Sequence, residues 1–89
     1  MKSIKQRLES ILNKIEEIDC LMEELKNDCE EKISTIEQKA FERESGENTE
    51  HEQTKIDQHT EVIGYLEEAD NDRANLYDNI ESAISSLDD

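Results

Sequence analysis

Apolar residues recur every three or four positions along this chain, in two separate runs, and any fold must satisfy that periodicity. In the first run Ile4, Leu8, Ile11, Ile15, Ile18, Met22, Leu25 and Cys29 follow in alternating steps of four and three, the spacing of a coiled-coil seam. Ile33, Ile36 and Ala40 come next. The two consecutive steps of four through Cys29 form a stutter, which predicts a local relaxation of the supercoil. The second run is Ile56, His59, Ile63, Leu66, Asp70, Arg73, Tyr77, Ile80, Ile84 and Leu87, with a polar interruption at Asp70 and Arg73. With 39% charged and 33% hydrophobic residues in 89, the composition resembles that of disordered chains. A disordered segment, however, has no reason to hold a heptad register twice.

Between the runs lies the polar segment FERESGENTEHEQTK, holding Gly46. Glycine ends helices because it takes a left-handed conformation without steric cost. Thr49 to Glu52 fits a capping box, with Thr49 or Asn48 as the cap, and Ser3 to Gln6 fits the same pattern at the first start. These signals predict helix one over about 3–44, a turn over about 45–48 and helix two over about 49–88, a single unit across 1–89. Each helix would be roughly 60 Å long.

A short turn forces touching helices to lie antiparallel. Leu8 then falls opposite Leu87, Ile11 opposite Ile84, Ile15 opposite Ile80, Ile18 opposite Tyr77 and Cys29 opposite Leu66, every pair centred between Glu47 and Asn48. The turn is marked by its own residues, so this agreement is independent. The fold class is therefore all-α: an antiparallel two-helix coiled-coil hairpin. On the flanks, Lys26 faces Glu67 and Lys5 faces Asp88. At the polar step, Asp70 and Arg73 sit three apart on one helix and are expected to pair and reach outward. The alternative is a helix break at Asp70-Asn71-Asp72, giving three helices.

A lone hairpin buries little surface, and apolar residues remain beyond the seam. With Leu8 at a, Val62, Ala69, Leu76 and Ala83 occupy g on helix two, Leu21 occupies g on helix one, and Leu12 sits at e. These six form a second apolar stripe, and a stripe of this length normally meets a partner. The expected partner is a second copy, two hairpins forming a four-helix bundle. The competing occupant is a helix of another protein. Helix one also repeats acid every seven residues at Glu9, Glu16, Glu23, Glu30 and Glu37, continuing to Glu44, with Glu17, Glu24 and Glu31 beside them. Such rows usually keep a coil soluble; the functional reading is an acidic ridge for a basic surface.

Chemistry-bearing motifs are missing. The two glycines are isolated, which excludes a phosphate loop or dinucleotide turn. Two helices do not enclose the pocket an acid–base pair needs. Cys20 and Cys29 lie about 13 Å apart along a helix, too far to bridge, with Cys29 in the seam and Cys20 outermost. Unpaired thiols suit a reducing cytoplasm. His51 and His59 lack the grouping zinc requires, and Asp70-Asn71-Asp72 lacks the glycine and glutamate of a calcium loop. No cofactor or metal is expected.

Ten Lys and Arg against 25 Asp and Glu leave a formal charge of −15. Phosphates would repel such a chain, which argues against direct binding to nucleic acid or an anionic membrane, and no apolar run approaches the ~20 residues of a membrane span. The expected function is a non-catalytic protein-binding module: a small acidic adaptor or inhibitor, of the kind phages direct at host proteins, docking on a basic-surfaced partner. That comparison is a class analogy. Two other readings stay open. One is a DNA mimic, which requires the dimer because a monomer carries about one charge per 4 Å where duplex DNA carries one per ~1.7 Å. The other is a secretion or assembly chaperone that lends its stripe to a client helix.

Overall fold

The computed structural model describes residues 3–43 and 46–87, and the expectations that fall on Glu44 and Asp88 lie outside them. Two helices, α1 (Ile4–Phe41) and α2 (Glu50–Ser85), pack against each other as an antiparallel hairpin. The rod measures 69 × 18 × 16 Å. No helix of the described residues is long and apolar enough to cross a membrane.

Both helices start where their capping residues dictate. The Ser3 hydroxyl accepts from the Gln6 backbone N–H at 3.1 Å while the Gln6 side chain accepts from the Ser3 N–H at 3.0 Å. Thr49 and Glu52 repeat the arrangement at 3.1 and 2.9 Å, so Thr49 rather than Asn48 is the cap. Each box satisfies two of the donors that a helix start leaves without partners. Gly46 adopts φ +68°, the left-handed conformation that turns the chain. Arg43 forms a two-pronged ion pair with Glu52 across the turn. The helix α2 runs unbroken through Asp70-Asn71-Asp72.

The α2 seam is the predicted column, half-buried from Ile56 through Ile84. The α1 seam differs. Leu8, Ile15, Met22, Cys29 and Ile36 face inward as expected, but Ile11, Ile18 and Leu25 stay 42%, 48% and 48% exposed. Their places are taken by Leu12, Asp19 and Lys26, in line with Ile33 and Ala40, which face inward as expected. The reason lies in the partner helix. The α2 column has no stutter, so a stutter in α1 would throw the facing layers out of step. The adjacent α1 column runs through Ile33 and Ala40 without one. Choosing it brings Asp19 and Lys26 into the seam, and both meet an opposite charge: Arg73 Nε lies 3.4 Å from Asp19 Oδ1, and Lys26 Nζ lies 3.6 Å from Glu67 Oε1. Arg73 also holds Asp70 at 2.9 Å, the expected pair. Among the described residues, only Ile15, Cys29 and Ala40 are buried outright, so the core is thin.

Candidate interaction edges

A two-helix seam leaves two edges, and the cross-helix contacts identify them. Tyr77 donates its hydroxyl to Glu16 Oε1 at 3.1 Å, and Glu67 pairs with Lys26. Glu16 and Glu67 therefore flank the seam on the same edge. By heptad spacing Glu9, Glu23, Glu30 and Glu37 continue it on α1, and Glu81 continues it on α2. All seven glutamates of this acidic edge are exposed.

The opposite edge follows from the same spacing. On α1 it carries Ile4, Ile11, Ile18 and Leu25; on α2 it carries Val62, Ala69, Leu76 and Ala83. Val62 and Leu76 are 41% and 48% exposed and Ile4 is 65% exposed, while Ala69 and Ala83 are half-buried. Leu21 and Tyr65, both 65% exposed, lie further out on this side. The structure thus brings Val62, Ala69, Leu76 and Ala83 to one edge with Leu21 at its rim, and places Leu12 in the seam instead. The α1 half of this apolar edge is the column of Ile4, Ile11, Ile18 and Leu25 that the heptad spacing alone predicts in the seam. The signal that could have found it is the step to Ile33 and Ala40, which only the Leu12 column continues without a break.

The acidic rows separate in a similar way. Glu17, Glu24 and Glu31 are exposed but lie on the back of α1, about a hundred degrees around the helix from the Glu16 row. They belong to neither edge.

Electrostatics follow these contacts. The Arg73 hydrogen bond, above all, holds the Asp70 carboxyl below its ordinary value, and Asp70 in turn raises Arg73. The hydrogen bond to Glu16 raises the Tyr77 hydroxyl. At the turn, the Arg43 bonds, helped by the Thr49 backbone, lower Glu52 to about 2. The cleft beside this polar layer has a volume of 280 Å³ and is lined by Asp19, Lys26, Glu67 and Asp70 among others. Cys20 is exposed and Cys29 buried, both as free thiols. Among the described residues, no group of three or more His, Cys, Asp or Glu is placed to hold a metal.

The chain matches no protein-family model, no curated protein and no solved structure.

Proposed function

We propose that this protein is a non-catalytic binding module, a small acidic adaptor or inhibitor that works by docking on other protein surfaces. The observation that carries the reading is the division of the hairpin into two unlike edges. One is apolar over Ile4–Leu25 of α1 and the facing part of α2; the other is a row of exposed glutamates. In this reading the apolar edge is the assembly face and the acidic edge meets a basic patch on a larger partner. Complementary charge steers such an encounter and selects the partner.

The edge geometry favours this over a nucleic-acid mimic. Glutamates seven apart in one row are about 10 Å apart, whereas the phosphates of one DNA strand follow every ~3.4 Å along the axis.

The test is a carbodiimide crosslink, which joins carboxylates directly to amines, applied in the native cell before affinity purification. The expected result is a defined partner whose lysines are joined to Glu16, Glu23 or Glu30, and its loss when those three are changed to Lys. Undiminished recovery with the Lys variant would sink the acidic-edge reading.

A further inference from the structure

The cross-helix pairs Asp19–Arg73 and Lys26–Glu67 also set the order of layers along the apolar edge. Ile11 stands beside Ala83, Ile18 beside Leu76 and Leu25 beside Ala69. Large thus alternates with small on either side of a central large pair. Toward the turn the same edge becomes basic, with Lys32, Lys39 and Lys55 exposed. Along its α1 rim, exposed Arg7 and Lys14 lie on one side of the Ile18 level and exposed Asp28 on the other.

We infer that a second copy of this chain covers the apolar edge, packed edge to edge and antiparallel, with a twofold axis at the level of Ile18 and Leu76. The inference rests on the reading of this edge as the assembly face, and three observations decide the occupant and its direction. Reversal about Ile18 sets Ile11 against Leu25 of the other copy and Ala69 against Ala83, so the three central apolar layers coincide. The same reversal brings Arg7 opposite Asp28, twice by symmetry, an attractive pairing that also fixes register. A parallel arrangement would instead stack Lys32, Lys39 and Lys55 of both copies at one end, six like charges together. The antiparallel one sends the two lysine groups to opposite ends.

Area supports the match. Reversal about Ile18 and Leu76 overlaps about 45 Å along α1 and, because the described residues end at Leu87, about 33 Å along α2. Across a rod 16 Å wide, that is about 600 Å² of contact per copy, at the lower end of stable interfaces, about 600–1,000 Å² a side. The acidic edges then point outward on opposite sides, leaving both open to partners.

Sedimentation equilibrium at about 100 μM is expected to give twice the chain mass of 10.3 kDa for the native protein. Ile18→Asp and Leu76→Asp should return it to a single chain while circular dichroism keeps its helical signal, since both residues are already exposed in the hairpin. Direction is read by spin-label distances in a Cys29→Ala background: one label at Cys20, another at Ser34→Cys with Cys20→Ser. Cys20 lies two residues from the twofold level and Ser34 sixteen, so their lengthwise separations are about 6 Å and about 48 Å. The Ser34 distance should exceed the Cys20 distance by about 25 Å. A single-chain mass for the native protein, equal label distances, or an unchanged dimer in both Asp variants would overturn the inference. A single-chain protein that still crosslinks through Glu16, Glu23 and Glu30 would overturn the dimer alone. A dimer whose Lys variant keeps its partner would overturn the acidic-edge reading alone.

Discussion

Arg73 of α2 reaches across the seam to Asp19 of α1, with Nε 3.4 Å from Oδ1, while it holds Asp70 of its own helix at 2.9 Å. One cation thus serves two carboxylates in the middle of a largely apolar column, and a polar layer of this kind specifies register at some expense of stability. Replacing Arg73 with Ala leaves Lys26 as the remaining cation near Asp70, and urea unfolding should show a loss of stability, moderated because the two carboxylates are half-exposed. Changing Asp19, Asp70 and Arg73 all to Leu should raise stability, because an apolar layer replaces a partly desolvated charged one. The same triple variant should lose unique pairing, seen as multiplied NMR signals for the layers around Met22. A triple variant less stable than the native chain would refute this account of the layer.

The Arg43–Glu52 pair clasps the turn, and it makes the hairpin end sensitive to acid. Glu52 is lowered to about 2 from an ordinary 4.5, first by the Arg43 bonds and then by the Thr49 backbone. A depressed carboxyl contributes stability that is present above its unfolded value and is lost as pH falls through the folded one. The contribution of this group should therefore fade between about pH 4.5 and about pH 2. Carbon-detected NMR titration should find the Glu52 midpoint near the lower figure, and Arg43→Ala should move it upward. A midpoint in Arg43→Ala equal to the native one would show that the clasp does not hold in solution.

The seam choice in α1 can be read by truncation. Ile15 is 3% exposed and Ile18 is 48% exposed, although both belong to the same apolar run. Removing a buried Ile side chain to Cβ costs about 2 kcal/mol or more, whereas an exposed site is usually within about 0.5 kcal/mol. In dilute solution, where the hairpin is a single chain, Ile15→Ala should lower stability by about 2 kcal/mol and Ile18→Ala by a few tenths. Comparable losses at both positions in dilute solution would restore Ile18 to the seam.

This difference marks where the fold was legible in sequence and where it was not. The caps at Ser3 and Thr49 and the turn at Gly46 depend on residues within four positions of each other, and each could be read locally. The α2 seam could be read because its column is unbroken. In α1 two neighbouring columns compete: Ile11, Ile18 and Leu25 against Leu12, Asp19 and Lys26. Hydrophobicity favours the first; the unbroken step to Ile33 and Ala40 and the register of α2, with Arg73 and Glu67 opposite the charges, favour the second. The α2 part of that information lies some fifty residues away along the chain. The apolar edge was half legible for the same reason, since its α1 half is the column the seam rejects. Arg43 with Glu52 depends on the path of the turn, which spacing alone does not give.

The two glycines should respond to the same substitution with opposite sign. Gly46 holds φ +68°, and an added Cβ would meet no atom within 4 Å, so the cost of Gly46→Ala is that of the left-handed backbone alone, about 1–2 kcal/mol. Gly64 lies inside α2 with equally open surroundings. There a glycine costs about 0.5–1 kcal/mol relative to alanine because it loses more backbone freedom on folding. Gly64→Ala should therefore raise stability by about that amount, and Gly46→Ala should lower it. Thermal unfolding followed by circular dichroism, at one protein concentration for all variants, separates the two. If Gly64→Ala destabilised the protein, something would have to cover the Gly64 face of α2 closely enough to exclude a methyl group. If Gly46→Ala were neutral, the chain would have to turn without the left-handed residue on which the hairpin geometry depends.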